Sequence, residues 1–121
     1  MIYSAIFNSY SVVADYSEEG GDFGITLSKI LKANRQPLEF YMISYLNYEC
    51  FFLHKEDYTF SCIAGQNLDH EKVLLFLQSL REQFCSICKN EKDSLTLKST
   101  NLIRDLMVKL FKEKLNEIYI L

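Results

Sequence analysis

The chain has 121 residues, 49% hydrophobic and 24% charged, with one proline and four glycines. That is the make-up of one compact domain with one sizeable core, and it argues against a two-domain enzyme, a fibrous protein or a disordered tail. A formal net charge of -3 argues against a partner recognised through the phosphate backbone of nucleic acid, which needs a basic footprint.

No run approaches the roughly 20 apolar residues that span a bilayer, and Met1-Ile2-Tyr3-Ser4 lacks the basic start of a signal peptide. Met1-Ile2 also excludes a myristoylation start, and Tyr119-Ile120-Leu121 carries no prenylation cysteine. A soluble chain is expected, with any membrane attachment supplied from outside it. Four cysteines without a signal peptide, and no Asn-Xaa-Ser/Thr acceptor, fit a reducing cytosolic compartment in which thiols stay free.

In chain order, Ile2 to Phe7 and Tyr10 to Tyr16 are short aliphatic, β-branched and aromatic runs separated by Asn8-Ser9, which reads as a hairpin. After Glu18-Glu19-Gly20-Gly21-Asp22, the residues Phe23, Leu27, Ile30 and Leu31 recur at helical spacing, with Lys29 and Lys32 on the other side. Asn34-Arg35-Gln36-Pro37 stops that helix, because proline lacks the amide donor and biases its predecessor away from helical angles.

From Leu38 to Ile63, three apolar segments broken at Leu46-Asn47 and Lys55-Glu56-Asp57 predict an antiparallel meander. Cys50-Phe51-Phe52-Leu53 is apolar at successive positions, so both faces of this sheet need cover. Val73, Leu74, Leu77, Leu80, Phe84 and Ile87 step by three and four, with Asp69 and Glu71 near the positive end of the helix dipole. A polar connector, Asn90 to Ser94, precedes a last stripe of Ile103, Leu106, Met107, Leu110, Phe111 and Ile118. The order is ββαβββαα, a single α+β domain over residues 1–121.

Little in the sequence suggests chemistry. His54 and His70 fall in different elements, outside any metal-ligand spacing, so no metal site and no cofactor are expected. Cys85-Ser86-Ile87-Cys88 is a CxxC, but it lies at the end of a helix rather than at the start, where the dipole lowers a thiol pKa. These cysteines read as small helix residues; a redox or ligand-sensing protein using Cys85 and Cys88 is the remote alternative. No Gly-Xaa-Ser-Xaa-Gly elbow exposes a serine nucleophile. The Gly20-Gly21 pair is flanked by Glu18, Glu19 and Asp22, which would repel a phosphate. It reads as a turn whose glycines permit positive backbone angles, with Asp22 capping the helix that follows.

Asn8-Ser9-Tyr10-Ser11-Val12-Val13-Ala14, Gly20-Gly21-Asp22-Phe23, the Asn47-Tyr48 corner and Asp57-Tyr58-Thr59-Phe60-Ser61-Cys62-Ile63 resemble longin domains, the N-terminal regulatory domains of synaptobrevin-like R-SNAREs. The likeness continues through Asn67-Leu68-Asp69, Phe76-Leu77 and Arg81-Glu82-Gln83-Phe84, covering roughly residues 1 to 88 in register and the final helix more weakly. No single motif is decisive; order and spacing carry it.

The resemblance implies a profilin-like fold, a five-stranded antiparallel sheet with the first helix on one face and the last two on the other. It also implies an apolar groove between the first helix and the third strand, which lies at the sheet edge. Here the helix side would be Phe23, Leu27, Ile30 and Leu31, and the strand side Tyr41, Ile43 and Tyr45. In that family the groove accepts the protein's own SNARE motif or a competing coat, adaptor or sorting partner, on the cytoplasmic face of endomembranes and vesicles. The implied role is regulation of vesicle-mediated transport and fusion, without enzymatic activity. The chain stops at Leu121 without a SNARE motif or anchor helix, so a longer protein truncated to its folded head is the favoured expectation. A small longin-like subunit of an adaptor or tethering complex is the alternative.

Overall fold

A computed structural model of the chain describes residues 2–17, 21–65, 69–89, 103–109 and 112. Gly20 and its two preceding glutamates, Asn67-Leu68, the connector Asn90 to Ser94, and Leu110, Phe111, Ile118 and the C-terminal residues lie outside that set. The elements are β1 (Tyr3–Asn8), β2 (Ser11–Ser17), α1 (Phe23–Asn34), β3 (Phe40–Tyr45), β4 (Tyr48–Lys55), β5 (Tyr58–Ala64) and α2 (His70–Lys89). A further helix, α3, covers 103–109. The five strands form one antiparallel sheet in the order β2-β1-β5-β4-β3.

Three strand pairs are closed by two-residue turns, and the first loop residue of each, Ser9, Leu46 and Glu56, has φ of 55°, 54° and 56°. Primed turns have this handedness, which matches the right-handed twist of the flanking strands. The β1–β2 register shifts between Ile6 and Phe7, so Val13 is an extra residue on the outer strand, a bulge at that edge.

Both sheet faces are covered, as the unbroken apolar run in β4 requires. Tyr3, Ala5, Phe7, Cys50, Phe52 and Ile63 face α1 and pack with Leu27, Ile30 and Leu31. Ile6, Phe51, Leu53, Phe60 and Cys62 face the other way, beneath Val73, Phe76, Leu77, Leu80 and Phe84 of α2 and Ile103 and Met107 of α3. One helix therefore covers one face and two cover the other. Each fully buried Leu or Phe contributes about 1.5–3 kcal/mol, so α2 alone anchors its face strongly.

The start of β3 is tied from both sides. Arg81 of α2 donates to Glu39 Oε1 at 3.0 Å, and the His54 amide donates to the Glu39 carbonyl at 2.7 Å.

The cap of α1 differs from the sequence expectation. Asp22 occupies the N-cap position, but its side chain makes no capping hydrogen bond; φ -95° and ψ 46° turn it away from the first-turn amides. Only its carbonyl accepts, from the Thr26 amide at 3.1 Å. Asp69 does cap α2, its Oδ1 accepting from the Glu71 amide at 3.0 Å. Gly21, with φ of 141°, supplies the backbone angle that an L side chain rarely adopts.

Candidate functional site: a trough between α1 and the β3 edge

Helix α1 leans to one side of its sheet face. Gly24, Ser28 and Lys32, spaced i, i+4 and i+8, form the stripe toward the β1–β2 hairpin. Ser28 Oγ donates to the Tyr10 carbonyl at 2.7 Å, and Lys32 Nζ stands 5.8 Å from the centre of the Tyr10 ring. Gly24 lets the helix settle against the hydroxyl of Tyr3, which itself donates to Asp15 Oδ2 at 2.9 Å. The backbone of α1 accordingly comes closest to β2. A trough is left on the opposite flank, between α1 and β3.

Two adjoining pockets make up that trough, and Thr26 and Tyr45 line both. The first, of about 230 Å³, runs under the β3–β4 turn: Asp22 and Phe23 on the helix side, Leu46 and Tyr48 on the turn side, Cys50 and Ile63 at the floor. The second, of about 360 Å³, follows α1 past Lys29, Ile30, Ala33 and Asn34. Alongside runs β3, which among the described residues has β4 as its only strand partner, so its outer backbone edge is unpaired within the sheet they form.

The seven residues taken from the sequence separate by depth. Phe23, Ile30 and Tyr45 line the trough, Tyr45 being 41% exposed. The Phe23 ring packs between Tyr3 and Tyr48, with centroids at 5.9 and 6.4 Å. Tyr41 and Ile43 share the α1 face of β3 with Tyr45, Ile43 half-buried against the core and Tyr41 almost wholly buried. Leu27 and Leu31 have no exposed surface at all; they point straight down into the sheet and form the helix's seat rather than a wall. Asp22, Thr26, Leu46 and Tyr48 were not anticipated. Thr26 lies four residues before Ile30 and so had a helical-spacing signal, whereas Leu46 and Tyr48 read only as a turn and a strand start.

A half-buried polar triad links β3, β4 and β5 on the same face. Tyr41 Oη and Thr59 Oγ1 each sit 2.8 Å from a ring nitrogen of His54. Burial, and secondly the charge of Arg35, lowers the His54 pKa to about 4, so the ring is neutral near pH 7. Burial likewise raises the Tyr41 pKa. Burial pushes the Cys50 thiol up to about 11, which leaves an inert thiol under the first pocket. Among the described residues no group of three or more His, Cys, Asp or Glu is placed to hold a metal ion. Cys85 and Cys88 fall in the last part of α2, at the opposite end from its N-terminus.

An unpaired strand edge beside an apolar trough offers backbone hydrogen bonds to an extended segment and burial for its alternate side chains. Among the described residues no helix is long and apolar enough to cross a membrane. No family model matches the chain, and a search of curated proteins returns no match.

Proposed function

We propose that this chain is a peptide-capturing regulatory domain of the longin type, acting in vesicle traffic as the head of an R-SNARE. Its trough would hold a SNARE-motif segment, or a coat, adaptor or sorting segment that competes with it. The observation that carries the reading is the unpaired edge of β3 lying beside the two pockets that share Thr26 and Tyr45. An intramolecular segment has the advantage of high effective concentration, so a competing partner must bind tightly enough to displace it.

The test is an NMR titration of the folded domain with a synthetic vesicle SNARE-motif peptide. Shifts should concentrate on Thr26, Ile30 and residues 41–45. Ile43→Asp should abolish binding; because Ile43 packs against the core, Thr26→Arg, at a half-buried residue that lines both pockets, serves as a second variant that blocks the trough. Shifts confined to α2, or unchanged affinity in Thr26→Arg, would overturn the assignment. Stable recovery with larger chains, and no binding to the peptide, would favour the adaptor or tethering-complex subunit instead.

A further inference from the structure

Three features meet at the first pocket. It measures about 230 Å³, below the roughly 300–1,000 Å³ of cavities that enclose small ligands, so it suits one side chain rather than a whole small molecule. At its mouth stands Asp22, an exposed residue whose side chain makes no capping bond to α1. Over it hangs Leu46, 79% exposed and held at φ of 54°. Neither solvent nor backbone sterics favours a leucine there: left-handed angles cost an L residue about 1–2 kcal/mol, and its side chain gains almost no burial. A strained, exposed apolar residue next to an apolar cavity is accounted for when something else covers both.

We propose that this pocket is a specificity pocket for an extended peptide segment in which an apolar side chain lies next to a lysine or arginine. The apolar side chain fills the space between Phe23, Tyr48 and Leu46, and the cation pairs with the Asp22 carboxylate. Charge complementarity decides the occupant. Among the described residues Asp22 is the one carboxylate or amine that lines this pocket, and the cation of the adjoining pocket, Lys29, lies about two helical turns further along α1, so the trough is acidic at one end and basic toward the other. The inference rests on the trough being a peptide-capture site, as proposed above.

The experiment is selection of a random octapeptide phage library on the folded chain, followed by fluorescence anisotropy on the most enriched peptide. Enriched sequences should carry a large apolar residue within two positions of a lysine or arginine. Asp22→Asn should weaken the peptide about 2- to 5-fold, the range of an exposed ion pair, and raised salt should erase that difference. In Asp22→Lys, the same peptide with its basic residue changed to glutamate should regain affinity. Enriched peptides with no basic preference, or equal binding to Asp22→Asn, would overturn this inference and leave the trough intact. Peptides that bind Thr26→Arg undiminished, or no enrichment at all, would overturn the peptide-capture reading itself.

Discussion

A Cβ on Gly24 would lie 2.8 Å from the hydroxyl oxygen of Tyr3. That oxygen belongs to a tyrosine only 2% exposed, fixed by its hydrogen bond to Asp15. Gly24→Ala therefore sets helix propensity against overpacking. Alanine gains about 0.8–1 kcal/mol in a helix, whereas crowding a packed core costs about 1–3 kcal/mol. We expect net destabilisation of about 1 kcal/mol by urea unfolding, and relief in the Gly24→Ala, Tyr3→Phe double variant. A stabilised Gly24→Ala would mean that α1 does not approach β1 this closely.

His54 predicts an acid limb in stability. Its folded pKa of about 4 lies below the ordinary 6.5, so the unfolded chain binds the proton more readily. The contribution is fully present above pH 6.5 and is lost progressively as pH falls from 6.5 toward 4. Because the ring is partly solvated, the loss is discounted to on the order of 1 kcal/mol. The His54 ring carbon–proton NMR signals should stay at their neutral positions down to pH 5; titration near 6.5 would contradict the triad with Tyr41 and Thr59.

Leu46→Gly should separate stability from binding. It removes the left-handed penalty at φ of 54° and loses little burial, since the side chain is 79% exposed. Part of the gain is offset by glycine's greater freedom when unfolded, leaving about 0.5–1 kcal/mol of stabilisation. Peptide affinity should fall in the same variant. A loss of both stability and affinity would show that Leu46 serves the hairpin rather than the trough.

Thiol accessibility offers a fourth test. Cys50 and Cys62 are buried and burial raises both thiols, Cys50 to about 11, whereas Cys85 is half-buried. Iodoacetamide at pH 7.5 should alkylate Cys85 well before Cys50 or Cys62, and peptide mapping of the folded chain reads this directly. Rapid labelling of Cys50 would mean that the first pocket opens to its floor.

The fold was legible because its signals are local. Unbroken apolar β4 demanded two covered faces, and the stepping of Val73, Leu77, Leu80 and Phe84 marked α2. The site was less legible. Helical periodicity says that Leu27, Ile30 and Leu31 share a face, but not how far the helix is rotated over the sheet. That rotation comes from the meeting of Gly24 with Tyr3 and of Ser28 with Tyr10, contacts between distant parts of the chain. It turned Leu27 and Leu31 into the seat of the helix and brought Thr26 to the wall. Asp22 reads as a side-chain cap in the sequence for a related reason: its backbone angles follow the φ of 141° at Gly21, and composition does not encode them.

The two outer strands of the sheet carry unequal protection. β2 has the Val13 bulge and the charged Asp15, devices that discourage another strand from adding on. β3 reads Phe-Tyr-Met-Ile-Ser-Tyr, with regular pairing and neither charge, proline nor glycine to interrupt it. On concentrating the free protein, β3-to-β3 addition is thus the expected route to precipitation, and an occupied trough doubles as a solubility device. Colloidal behaviour and the proposed peptide capture draw on the same strand edge, so a substitution in β3 that cures one alters the other.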